Sequence, residues 1–128
     1  MKPIFYFFIV SLYLLGCSQN KYREIKYELS NDTINVGKIN YSDTFLKTVY
    51  LKNFSGKVIK IVDIENGCGC TSGNISDSLI KENDSVSIQV SFIPSLTKDS
   101  GIIAKYITIR TDAIPPFRNL NIIGEVVK

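Results

Sequence analysis

Between residues 85 and 92 the chain reads Ser-Val-Ser-Ile-Gln-Val-Ser-Phe, with every second residue apolar and small polar residues between. Successive side chains of a strand point to opposite faces, so this segment buries Val86, Ile88, Val90 and Phe92 and wets the others. Such a strand needs a second apolar surface to cover it, and the rest of the chain repeats its period of two. Residues 33–37, 45–53, 58–64, 103–110 and 120–127 all read as strands. Turn residues separate them: Asn31-Asp32, residues 40–43, Ser55-Gly56, Pro94, residues 99–101 and Pro115-Pro116. Phe45, Val49 and Leu51 share one face, and 58–64 is apolar enough on both faces to be an interior strand. Residues 74–84 read as polar turn material. About seven short strands and no helical periodicity beyond the N-terminal segment predict an all-β fold, an immunoglobulin-like antiparallel β-sandwich. The aromatic residues Phe45, Tyr50, Phe54 and Phe92 read as core rather than as a surface for stacking a ligand.

The N-terminus follows other rules. Lys2 precedes an apolar run over residues 3–15, shorter than the roughly 20 residues of a membrane-spanning helix, so it reads as a leader. Leu14-Leu15-Gly16-Cys17 closes it and resembles the lipobox of bacterial lipoproteins. That resemblance implies a diacylglyceryl thioether on Cys17, cleavage after Gly16 and acylation of the new N-terminus. Each buried CH₂ contributes about 0.8 kcal/mol, so several acyl chains hold a protein on a membrane where one does not. Residues 1–16 are therefore expected to be a signal peptide and 17–29 a lipidated N-terminus and tether. The domain is expected over 30–128. Ser18 follows the cysteine with no acidic run behind it, which by the same resemblance points to the outer membrane, facing the periplasm.

Removing residues 1–16 takes away only Lys2 among the charges, leaving 14 basic and 12 acidic side chains and a net charge of +2 instead of +3. Lysines scattered singly over so small an excess give no footprint for nucleic acid. Histidine is absent and the one methionine is Met1. No Ser-His-Asp or Cys-His arrangement can exist, most transition-metal sites lack their usual ligands, and no cofactor is indicated. Glu65 and Asp63 read as solvated strand-end charges rather than an acid–base pair.

Of three cysteines, Cys17 is assigned to lipid, which leaves Cys68 and Cys70 inside Asn66-Gly67-Cys68-Gly69-Cys70-Thr71-Ser72-Gly73. An exported chain lives where disulfides persist. A Cys-X-Cys bridge closes a very small ring, and Gly69 is expected to bend the chain through backbone angles that other residues avoid. Three readings follow. The pair is a structural turn at a strand end; or it is a redox pair, since strained bridges exchange readily; or its two thiolates hold a soft ion such as Cu(I). Zinc would need two further ligands. Lys57 and Lys60 are the nearest cations in sequence, and no helix N-terminus is at hand to favour a thiolate.

Val36-Gly37, Leu51-Lys52-Asn53, Cys68-Gly69-Cys70-Thr71, the strand over 86–92 and Gly124-Glu125-Val126 recur in an order and spacing that resemble the bacterial domain of unknown function 1573 family. The resemblance covers residues 31–127, and Cys-Gly-Cys-Thr, with Gly67 leading into it, is its most specific part. It implies an exported Ig-like domain, often a Bacteroidetes lipoprotein, and no activity. Glu82-Asn83-Asp84 stands where the family has Pro-Gly, a substitution that can keep the turn. The expected role is that of a lipid-anchored envelope domain that binds a partner protein or supports an envelope assembly, with thiol–disulfide exchange or Cu(I) binding as the alternative.

Overall fold

The computed structural model describes residues 26–128. The leader, Cys17 and the tether up to residue 25 lie outside the described residues. Nine strands follow in order: β1 (Tyr27–Leu29), β2 (Thr33–Asn40), β3 (Phe45–Asn53), β4 (Ile59–Asn66), β5 (Thr71–Ile75), β6 (Leu79–Ile80), β7 (Ser85–Phe92), β8 (Gly101–Thr111) and β9 (Phe117–Val127). A single 3₁₀ turn over Pro94–Leu96 follows β7, where a proline removes the next ladder donor. Four strands form one sheet in the order β1-β3-β7-β5, and five form the other in the order β2-β9-β8-β4-β6. The all-β sandwich is as expected. Among the described residues there are nine strands rather than about seven, and β2 pairs with β9 in parallel rather than antiparallel.

The period-two segments do what their pattern dictates. Val49, Leu51, Ile88, Val90 and Phe92 from one sheet meet Ile34, Ile59, Ile107, Ile109 and Ile122 from the other, all buried. Each such side chain contributes about 1.5–3 kcal/mol by leaving water. Tyr50 obeys the same alternation with the opposite result. It falls between Val49 and Leu51 and points outward, 46% exposed, and Phe54 just beyond the strand is also exposed. Those two aromatics are not core, in contrast to Phe92.

Three expectations are corrected. The domain starts before residue 30, because Tyr27 is fully buried and β1 pairs with the end of β3. Its hydroxyl bonds the Pro115 carbonyl, and the Arg118 guanidinium lies over its ring, 4.7 Å from the centroid. The second concerns β4, which lies inside its sheet between β8 and β6, as expected, but buries only one face. Its register against β8 slips between Ile61 and Asp63. Val62 is turned out at this bulge and the inward phase passes from Ile59 and Ile61 to Ile64. Third, residues 74–84 are not all turn, since the end of β5 and all of β6 lie within them.

Two glycines sit where backbones meet. The β2–β9 register breaks between Asn35 and Lys38, and Gly37 occupies the break at φ +65°. Opposite lies Gly124, where a Cβ would stand 2.7 Å from the Gly37 carbonyl oxygen. Asn83 takes the left-handed conformation at φ +57°, and Asp84 N–H closes the turn on Lys81 O. Asparagine is one of the few non-glycine residues that takes this conformation readily.

Candidate functional site

β4 ends at Asn66 in the five-stranded sheet and β5 begins at Thr71 in the four-stranded one, so residues 67–70 carry the chain across the sandwich. The crossing is tied on both sides. Gly67 N–H donates to Tyr106 O on β8 (3.0 Å), and Ile93 N–H at the end of β7 donates to Cys70 O (2.8 Å). Gly73 N–H donates to the side-chain oxygen of Asn66 (3.2 Å). Within this corner the sulfurs of Cys68 and Cys70 are joined, their Cα atoms 5.3 Å apart, inside the usual disulfide span.

The glycines play other parts than expected. Gly69 has open space around it and is not among the glycines with positive φ. Gly67 is the constrained one, since a Cβ there would come within 2.6 Å of the Tyr106 carbonyl oxygen and against its ring. Thr71 is buried, and its hydroxyl donates to Cys68 O (3.5 Å) while lying 3.8 Å from the Cys68 sulfur. Cys70 N–H points at the Cys68 sulfur at 3.3 Å.

Burial divides the two sulfurs chemically. Cys70 is in the core at 2% exposure, whereas Cys68 is only partly covered. Were a thiolate to attack the bridge, Cys68 would be the accessible end, and the sulfur released would be the buried one, where a thiolate loses its hydration. Lys57 and Lys60 offer no relief. Lys60 pairs near the start of β4, about 20 Å of strand away from the corner. A Cu(I) ion would require the bridge opened, and among the described residues no three Cys, Asp or Glu are grouped to hold a metal.

Beside the corner lies a feature that the sequence pattern did not announce. β6 pairs only with Ile59 and Lys60, so β4 has no neighbour on that side beyond Ile61, whose N–H is taken by Ser78 O (2.7 Å). β5 is the outermost strand of the other sheet. Its residue 73 turns its N–H away from β7 and toward Asn66, so alternate backbone groups of β5 face outward. Between the two free edges runs an open groove of about 430 Å³ lined by Ile61, Val62, Ile64, Gly73, Ile75 and Ser78. Asp63 at the bulge accepts the Ile64 N–H (2.8 Å) and lies 3.7 Å from Arg110. It is a solvent-exposed charge at the strand's bulge, as expected, and also anchors the bulge through that bond. Cys17, the expected lipid site, lies outside the described residues.

The comparisons agree with this architecture. A protein of unknown function from Porphyromonas gingivalis W83 superposes with a TM-score of 0.70 at 16% identity, covering 77% of this chain and 46% of that one. This chain thus spans less than half of that protein's length. The ASH / PapD-like domain 7 of human CEP192 gives 0.63 at 12% identity, with 82% and 87% covered. WR4, an MSP family member of C. elegans, gives 0.53 at 6% identity, with 79% and 97% covered. At these identities the likeness is one of fold. No curated protein matches the chain significantly. The family model described as "Protein of unknown function (DUF1573)" matches residues 27–126, from the strand bearing Tyr27 almost to the end of the last one, and the chain belongs to that family.

Proposed function

We propose that this is a membrane-anchored envelope domain that holds a protein partner by adding a partner's extended segment to the open flank between β4 and β5. The observation that carries the reading is the flank itself. β4 beyond Ile61 and the outer side of β5 have no strand partner there, the Ile64 and Gly73 N–H groups being held by the side chains of Asp63 and Asn66, and apolar Val62, Ile64 and Ile75 stand between the two strands. Main-chain hydrogen bonds to such an edge supply affinity, and pockets for alternate side chains supply selectivity. The partner's segment is extended, with apolar residues at every second position. Its carrier is held near by lipid on Cys17 at the outer membrane, a placement supported by Lys2, the apolar run and Gly16-Cys17.

A photoreactive residue placed at Val62 or Ile75 in the native envelope tests the flank. A discrete crosslinked partner from these positions, and none from exposed Ile102 on the other side of the five-stranded sheet, is the expected result. The protein recovered alone from every position would end the reading. The anchor is tested separately by intact mass: a chain starting at Cys17 with added acyl mass supports it, and an unlipidated N-terminus refutes it.

A second reading rests on the asymmetry at the corner, where the partly open Cys68 sulfur offers a point of attack. An external thiolate would bond to Cys68 sulfur, the Cys68–Cys70 bond would break, and Cys70 would leave as the thiolate. A reduction potential below about −300 mV would mark the bridge as structural and remove this alternative.

A further inference from the structure

The outer face of the four-stranded sheet carries three consecutive rows of side chains without a charge. The register places Thr48, Gln89 and Asn74 in the middle row. Leu46, Ser91 and Ser72 form the row on one side, and Tyr50 and Ser87 stand on the other, with Ser76 bonded alongside through its hydroxyl and the Ser87 N–H. Charge returns only in the next row, at Lys52 and Glu28. The outer face of the five-stranded sheet is built differently, with Lys60, Asp63, Glu65 and Arg110 on β4 and β8 alone. Exposed strand faces ordinarily carry Lys and Glu, which keep them soluble and unassociated. Here hydroxyls and amides replace them.

Those groups set the chemistry of a ligand. Ser, Thr, Asn and Gln each donate and accept, so they match a molecule dense in neutral groups that do both. Without a charge on the face, an ionic ligand would lose hydration with nothing to compensate. Gln89 and Asn74 sit directly opposite each other, placing two primary amides side by side for the C=O and N–H of an acetamide. The half-exposed Tyr50 ring at the edge offers an apolar plate with a polar tip. Rows about 6.7 Å apart on strands about 4.8 Å apart make a flat patch about 13 Å by 10 Å, the span of a short oligosaccharide. A protein interface would place apolar side chains at its centre, whereas the centre here is Gln89.

We propose that this face binds a neutral, N-acetylated glycan. One sugar ring stacks on Tyr50, and the acetamido and hydroxyl groups bond Gln89, Asn74 and the serines around them. The face meets the flank along β5, where Asn74 borders both, and is told apart from it by Gln89 on β7 and Tyr50 on β3, which do not line the groove.

Titrating the full chain with chitohexaose, followed by ¹⁵N chemical-shift changes, tests the assignment. Shifts confined to β3, β5 and β7 are expected, with Tyr50→Ala weakening binding about tenfold. Gln89→Lys, which puts a charge at the centre, should weaken it comparably. Tyr106→Ala on the other sheet should leave it unchanged, and heparin should not compete. No binding tighter than about 10 mM, shifts on the five-stranded sheet instead, or equal affinity in both face variants would overturn the proposal. So would a concentration-dependent dimer through this face, because a second copy would then be its occupant.

Discussion

Asn53 is buried at the end of β3, where its amide nitrogen donates to the carbonyls of Lys57 (2.7 Å), Ile80 (3.0 Å) and Lys81 (3.2 Å). Its side-chain oxygen accepts from the Ser55 N–H and hydroxyl. One residue thus satisfies two connections, and Asn53→Ala should cost about 2–4 kcal/mol in urea unfolding. Asn53→Asp should cost at least as much, since it sets a carboxylate against three carbonyls. At the corner the two glycines should separate cleanly. Gly67→Ala should destabilise by about 1–3 kcal/mol through the Tyr106 backbone, while Gly69→Ala should stay within about 0.5 kcal/mol. Burial would raise the Asp99 carboxyl, but hydrogen bonds from Lys105 and Thr97 and the Lys105 charge hold it below its ordinary 3.8. A depressed folded value means stability that is fully present above 3.8 and lost as the pH falls through the lowered value. Asp99→Asn should therefore flatten the acid limb of a stability–pH curve.

At the scale of the strand, β3 and β7 were legible to the residue, because clean alternation and bounding turns leave one register that buries Val49, Leu51, Val86 and Ile88 together. β5 was not. Its inward positions are Thr71, Gly73 and Ile75, and the middle one carries no side chain; a Cβ on Gly73 would come within 3.2 Å of Ile64. A strand that makes room for the opposite sheet by omitting a side chain also erases its own period. The same holds for the groove beside it, which exists because β6 is only two residues long. The cysteine corner was visible as composition, but the difference between its two sulfurs depends on burial, which arises only when β7 and β8 close over it. β1 was hidden by brevity, and it yields a prediction: Tyr27→Ala should lower stability by about 3–5 kcal/mol. A chain begun at residue 30 should be destabilised at least as far, in thermal or urea melts.

Across the whole molecule, the bridge at the corner closes so short a loop that its chain-entropy contribution is about 1.5 kcal/mol. Reduction should shift the urea midpoint slightly and leave the sandwich folded, a result read directly by circular dichroism with and without reductant. The parallel pairing of β2 with β9 has a consequence in time. Ile34 lies beside Ile122, and the buried Tyr27 reaches the loop at Pro115. Loop closure over such separations is slow. A chain delivered N-terminus first has no partner for β2 until its last strand emerges. The five-stranded sheet of such a chain would stay open on its β2 side until the final strand arrived.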